Sequence, residues 1–253
     1  MRHAVRAGFF AYVLGLSLAA SGCMLVMGPH ESEGPPDRGA VALTFDDGPL
    51  PGSTEAILDA LRAAGARATF FVVGENVRRR PDLARRIVAE GHELGNHTLT
   101  HPEVLGLEGP ARIAAEVDGG EAAIRAATGL GTALFRMPCG FTSHWVPPIL
   151  AERDLVHVTF SARSHDWLET SPVRLARRVL DGARPGSILV LHDGSEDRAE
   201  GDRRVVVEAL PLILDGLRAR GLRVVGAAEL LGIEWRRPSR YFVKKKSENG
   251  RAG

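Results

Sequence analysis

Only two of the 253 residues are cysteine, Cys23 and Cys139. Two thiols cannot build a disulfide framework, and no CxxC pair exists to hold a metal through sulfur. An excess of one charge sign is also missing, since the formal net charge is +1. That leaves no global field to draw in nucleic acid or acidic partners. No internal repeat is present, which argues against a stacked-repeat architecture. Long uncharged apolar runs are scarce as well; the one that stands out covers residues 9–27.

That run follows Arg2, His3 and Arg6 and contains "ASGC" at residues 20–23. A basic start, an apolar stretch and small residues form the layout of an export signal. The "ASGC" ending resembles a bacterial lipoprotein lipobox with Cys23 as the lipidated residue, although Ala20 stands where Leu is the stronger choice. The rival reading is an uncleaved anchor, because residues 9–27 are about long enough to span a bilayer. Both readings place the domain outside the cytoplasm, tethered to a bacterial envelope membrane. Residues 28–39, rich in Pro, Gly and charge, read as a flexible tether. Residues 233–253 read as a basic tail.

What the chain does have is enough apolar residue for a large core. It is 44% hydrophobic and 25% charged, which suits an α/β chain of this length. Short apolar runs at 41–45, 68–73, 93–96, 134–137, 155–160, 187–191 and 222–225 predict strands. Helical spacing at 54–64, 81–90, 112–127, 175–180 and 205–219 predicts helices between most of them. Gly65, Gly91, Gly129 and Gly221 follow helical stretches, as C-terminal caps do. Such alternation over residues 40–232 implies parallel strands with helices outside, either as a barrel or as a doubly wound sheet. In both, functional residues collect at the C-terminal ends of strands.

The residues at those ends carry chemistry. Strand 41–45 ends in Asp46 and Asp47, two like charges whose contact is unfavourable unless a cation or water separates them. Strand 93–96 is followed by "HTLTH", with His97 and His101 four apart. On a helical turn that spacing points both imidazoles the same way. Two such histidines plus a carboxylate form a known ligand set. Next come "RMPCG" at 136–140, "SHDW" at 164–167 and "LVLH" at 189–192. Each is weak alone; together, in order, at successive strand ends, they are specific.

With "TFDDGP" at 44–49, these five motifs resemble the polysaccharide deacetylase family, also called carbohydrate esterase family four or the NodB homology domain. The resemblance covers about residues 40–232. It implies a single catalytic domain with a distorted (β/α) barrel. It also implies hydrolytic removal of N-acetyl groups from an N-acetylglucosamine polymer or oligomer such as peptidoglycan or chitin, releasing acetate. One divalent metal is implied, zinc first, with cobalt or another divalent ion as alternatives. Its ligands would be Asp47, His97 and His101. Asp46 would be the general base, oriented by Arg136. His192 would be the general acid, oriented by Asp166. Pro138 and Cys139 would shape the substrate side of the third motif, with the Cys139 backbone N–H stabilising the oxyanion. Trp167, Leu189 and Leu191 would line a slot for the acetyl methyl group.

One departure stands out: Cys139 occupies a position where family members commonly carry an aromatic side chain. A backbone donor survives that exchange, whereas a sugar-stacking face does not. His144 and His165 are expected in solvent or behind the ligands, His157 as a hydrogen-bonded core residue, and His92 without a role. Two alternatives to N-deacetylation remain at this point. One is an O-acetyl esterase acting on a polysaccharide such as xylan; the other is an inactive sugar-binding domain.

Overall fold

The computed structural model describes residues 28–194 and 203–238. The candidate signal or anchor, including Cys23, lies outside these residues, as does the tail beyond Pro238. No helix among the described residues is long and apolar enough to cross a membrane.

Alternation of strand and helix begins with β1 (Ala40–Asp46) and α1 (Ser53–Ala64). β2 (Thr69–Val72), α2 (Gly74–Arg79), α3 (Pro81–Ala89) and β3 (Glu93–Asn96) follow. The long α4 (Pro110–Thr128) leads to β4 (Leu130–Thr132) and β5 (Leu134–Phe135). Next are α5 (Val146–Glu152), β6 (Val156–His157), β7 (Ala162–Arg163) and α6 (Pro172–Gly182). The chain continues through β8 (Ile188–His192), α7 (Arg204–Ala219), β9 (Arg223–Val225), α8 (Ala227–Leu231) and β10 (Arg236–Pro238).

Helix ends follow local chemistry. Proline opens α3, α4 and α6 in the first turn, where its missing N–H costs no hydrogen bond. Gly129 closes α4 in the left-handed region at φ 73°, which glycine adopts without a Cβ clash.

One curled parallel sheet runs in the order β6-β5-β3-β2-β1-β8-β7, with β9 also paired to β1. This is the distorted barrel expected, in a single domain. β1 is buried along its whole length. Leu43, Phe45, Phe70, Leu189 and Leu191 pack with Ile57, Leu58 and Leu61 of α1 and with Leu210, Ile213 and Leu217 of α7. Burying each such side chain is worth roughly 1.5–3 kcal/mol. A second cluster, including Ile113, Val117, Phe135 and Leu150, joins α4 and α5 to β5.

Three boundaries differ from the sequence reading. The stretch expected as a tether is ordered against the barrel. Glu31 donates its N–H to the His157 carbonyl at 2.8 Å and accepts from the Thr159 N–H at 2.7 Å. Glu33 bridges to Ser187. These residues link the end of β6 to the start of β8, pairing strand groups that would otherwise lack partners there. Composition registered the Pro, Gly and charge but not this backbone pairing. The expected strand 155–160 is shorter, confined to Val156–His157, and Val158 beyond it forms an isolated bridge with Glu31. The expected tail begins inside the fold: Trp235 is buried, its carbonyl accepts from Ala133, and β10 pairs antiparallel with β4.

Candidate active site

The C-terminal ends of β1, β3, β5 and β8 bring the sequence motifs together. Asp47, His97 and His101 offer one carboxylate oxygen and two ring nitrogens, all within 4.8 Å of one another. The Nε2 atoms of His97 and His101 lie 3.4 and 3.2 Å from Asp47 Oδ1. His97 Nδ1 is 2.8 Å from the Arg136 carbonyl. A carbonyl only accepts, so Nδ1 carries the proton and Nε2 keeps its lone pair for a cation. Burial works to raise the Asp47 carboxyl, but hydrogen bonds with His101 and His97 hold it well below the usual carboxylate range. A buried anion beside two available imidazole nitrogens is the chemistry of a divalent metal site, and the set fits one.

The histidine pair does not sit on a helical turn. Residues 97–101 form an irregular loop in which Thr98 (φ 69°) and His101 (φ 58°) are left-handed. The spacing is correct but the geometry behind it is different: β3 presents His97, and two left-handed residues swing His101 back beside it. Asp47 is left-handed too, at φ 73°, and its carbonyl accepts from Asn76 Nδ2 at 2.8 Å. That reversal turns Asp47 away from the line of β1 and toward the histidines.

Asp46 is buried beside it and is held by a different group. Arg136 Nη1 donates to Asp46 Oδ1 at 2.7 Å and to Thr44 Oγ1 at 2.8 Å. Its Nε and Nη2 donate to the carbonyls of Val158 and Thr159. The Phe71 ring lies 4.0 Å from the guanidinium carbon. Burial pulls Arg136 below its ordinary pKa while Asp46 works in the opposite direction. With all three of its guanidinium nitrogens hydrogen-bonded, Arg136 fixes Asp46 in one orientation.

His192 is paired directly with Asp46 across β1 and β8, so both side chains lie on the same face of the sheet. Its Nδ1 is 2.8 Å from Asp166 Oδ1, and its backbone N–H donates to Asp166 Oδ2 at 2.9 Å. Ser164 donates its hydroxyl to the same carboxylate at 2.7 Å. Burial disfavours the imidazolium, but the charge and hydrogen bond of Asp166, with Asp47 and Asp46 further off, outweigh it and raise His192 to about 9. The pair with Asp166 thus favours the charged imidazolium at neutral pH. The half-exposed Trp167 ring stands edge-on to it at 5.4 Å.

Two expected slot residues are elsewhere. Leu189 and Leu191 pair with Leu43 and Phe45 and lie with them in the core beneath the helices. Strand side chains alternate, so the face shared with His192 belongs to Val190, which lies outside that cluster. Pro138 is buried, and Cys139 is exposed in a left-handed conformation at φ 54°. His157 is buried as expected, but its Nε2 has no hydrogen-bond partner, and burial pulls its pKa down to about 3. His92 does have a role, accepting the Ala68 N–H at 3.2 Å.

The sequence reading missed Asp193. It is fully buried, accepts from the Gly48 N–H at 3.1 Å and from Thr54 Oγ1 at 2.6 Å, and so ties the end of β8 to the loop after Asp47. A Cβ on Gly48 would lie 2.1 Å from that carboxylate, which explains glycine there. Burial, against the Thr54 hydrogen bond and with Asp47 and Asp46 nearby, pushes Asp193 up to about 7. Its adjacency to His192 was the one available signal.

The family profile described as "Polysaccharide deacetylase" matches residues 33–160. The chain is 40% identical over 192 residues to a chitooligosaccharide deacetylase of Bradyrhizobium sp. (strain ANU 289), covering 73% of this chain and 87% of that protein. It is 34% identical over 201 residues to a peptidoglycan-N-acetylglucosamine deacetylase of Bacillus cereus, covering 79% and 91%. Among solved structures, a peptidoglycan N-acetylglucosamine deacetylase in complex with 4-naphthalen-1-yl-N-oxidanyl-benzamide superposes with a TM-score of 0.76 at 30% identity. That match covers 82% of this chain and 95% of the other.

Proposed function

From the premise that this chain belongs to the polysaccharide deacetylase family, we propose how its residues divide the work of the reaction. The chain is a hydrolase that removes N-acetyl groups from an N-acetylglucosamine polymer or oligomer, of the chitin or peptidoglycan kind, and releases acetate. The observation that carries the assignment of roles is the cross-strand pairing of Asp46 with His192. Each has its own orienting partner, and both stand beside the Asp47–His97–His101 set.

Asp47, His97 and His101 would hold a divalent cation, which we take to be zinc, and that ion would supply Lewis-acid chemistry at the amide carbonyl and lower the pKa of water. Asp46, fixed by Arg136, takes the proton from the attacking water as the C–O bond forms. The Cys139 backbone N–H donates to the oxygen that gains negative charge. His192, held cationic by Asp166, then gives its proton to the sugar nitrogen as the C–N bond breaks. Acetate and a free amine leave. Trp167 covers the acid and, with Val190, supplies apolar surface for the methyl group.

We also propose that residues 1–27 export the chain and hold it at the membrane, on the strength of Arg2, Arg6, the apolar run and "ASGC". Fractionation tests this: Cys23→Ala should abolish lipid attachment, and a soluble cytoplasmic protein would refute export.

The activity test is acetate release from chitooligosaccharide, peptidoglycan and acetylxylan with zinc or cobalt added. Release from the amino-sugar substrates supports N-deacetylation. Release from acetylxylan alone identifies an esterase, and binding without release an inactive domain.

A further inference from the structure

Every backbone N–H of the five-residue loop that carries two candidate metal ligands has an acceptor. The His97 N–H donates to the Val72 carbonyl at 3.0 Å. The Thr98 N–H goes to Asn96 Oδ1 at 2.9 Å, and the His101 N–H to Thr98 Oγ1 at 3.1 Å. The two donors between, Leu99 and Thr100, both go to Glu116 Oε2, at 3.0 and 2.8 Å. Glu116 Oε1 accepts the Thr100 hydroxyl at 2.8 Å and meets Arg112 at 2.8 Å. The carboxylate is fully buried. Loop carbonyls are used as well: Gly74 donates to Thr98 and Glu75 to Leu99, each at 2.9 Å.

Glu116 belongs to α4, a separate element whose approach to the loop is unusually close. A Cβ on Gly120 would lie 2.3 Å from Asn96 Oδ1 and 2.8 Å from the Thr98 carbonyl. A Cβ on Gly119 would lie 2.7 Å from Leu99 Cδ2. Consecutive glycines therefore bring the helix against the loop, and Glu116, one turn earlier, reaches the amides of the two residues that follow Thr98. The loop needs such a hold, because Thr98 and His101 occupy a region disfavoured for residues with a Cβ.

We infer that Glu116 is the positioning residue of the metal centre, setting the approach of His101 to His97 and Asp47 by holding the Leu99 and Thr100 amides. It touches neither substrate nor cation; it acts through the loop. The inference rests on the reading of Asp47, His97 and His101 as metal ligands. Glu116→Gln removes two of the oxygen acceptor sites and turns an amide donor toward donors.

A second buried carboxylate provides the control. Glu93, at the start of β3 and therefore at the opposite end of the barrel, accepts from the Thr69 hydroxyl and the N–H groups of Ala228 and Glu229. Glu93→Gln should destabilise the fold without touching the ligand loop.

The experiment uses the full chain stripped of metal. The zinc dissociation constant is measured by competition with a chromophoric chelator, and melting is followed before and after loading. Wild type, Glu116→Gln, Glu93→Gln and Thr100→Ala are compared. Glu116→Gln should bind zinc about tenfold or more weakly, the range for groups that orient ligands. Its cobalt-loaded absorption bands should also shift. Glu93→Gln should stay within about twofold of wild type in zinc affinity while melting at lower temperature. Unchanged affinity in folded Glu116→Gln, or an equal loss in Glu93→Gln, overturns the inference. If Glu116→Gln does not fold, Thr100→Ala decides: a several-fold loss supports the positioning role, and none overturns it. Wild-type protein that binds no zinc overturns the metal reading itself, a result distinct from either.

Discussion

Asp166→Asn isolates what the carboxylate beside His192 contributes. Asn keeps the volume but has one oxygen where Asp166 uses two to meet the His192 ring and backbone N–H groups and the Ser164 hydroxyl. Either a donor is left facing an amide NH2, or Nδ1 must give up its proton and accept. Both outcomes disfavour the imidazolium. In the wild-type protein His192 sits at about 9, against 6.5 for a free histidine. Burial is the largest single influence on it and acts downward, so without Asp166 the group should fall to 6.5 or below. The alkaline limb of kcat/KM should therefore move down by about two and a half pH units or more.

The same shift has a stability consequence with a definite sign. A pKa raised on folding stabilises most below the unfolded value and loses its effect as pH rises through the folded value. At about 1.4 kcal/mol per unit, the displacement is worth about 3 kcal/mol. The stability gap between wild type and Asp166→Asn should be widest below pH 6.5 and narrow by that amount as pH passes 9. A cation at Asp47 offsets part of the Asp47 contribution, so both proteins must be compared at equal metal occupancy. Acetate release across pH 5 to 10, with urea unfolding at pH 6 and pH 10, reads both effects. Alkaline limbs within half a unit of each other, or a gap constant with pH, would refute the account of His192 as an acid charged by Asp166.

Asp46→Asn should retain metal, because Asp47, His97 and His101 are untouched, and lose about a hundredfold or more in kcat, measured on one sample for metal content and rate. Chelation should lower the melting temperature by about 5 to 10 °C relative to protein held at a hundred times the metal Kd, since that occupancy is worth about 2.7 kcal/mol; no change would show that the three side chains hold no cation. Cys139→Ser should be close to neutral in turnover, because the proposed contribution is the backbone N–H. Cys139→Tyr should keep kcat and alter KM or sugar preference. Loss of bound metal in the Ser variant would make the thiol a ligand.

The parts of the site that were legible from sequence are those in which neighbouring residues act together. Asp46 and Asp47 are adjacent, His97 and His101 share a loop, and Asp166 and Trp167 follow one another. Their order along the chain matches the order of strand ends around the sheet, so strand–helix alternation was enough to converge them. Contiguity has limits. Leu189 and Leu191, which the family resemblance assigns to the methyl slot, share a motif with His192, yet pleating sends alternate residues to opposite faces and leaves Val190 on the site side. A four-residue spacing is equally compatible with a helical turn and with a loop holding two left-handed residues, and nothing in "HTLTH" distinguishes them. Composition made residues 28–39 a tether because Pro, Gly and charge are visible in sequence, whereas the backbone groups at the end of β6 and the start of β8 that bind them are not.

What no local pattern could reveal is the layer that holds the site in place. Thr44 looks like an ordinary strand residue, yet Arg136 anchors on its hydroxyl 92 positions away. Glu116 reads as one more polar position in an amphipathic helix, yet its carboxylate gathers two amides and a hydroxyl from the ligand loop. Asp193 passes for a turn residue, yet it ties β8 to the loop following Asp47. Each acts through partners distant in sequence, and each is polar at a position where burial is decided by the fold. The chemistry of deacetylation is thus written in short motifs, while its precision depends on long-range hydrogen bonds from helices and strands that carry none of the reacting groups. That division explains why substitutions at Glu116 should register in metal affinity although the residue never meets the metal.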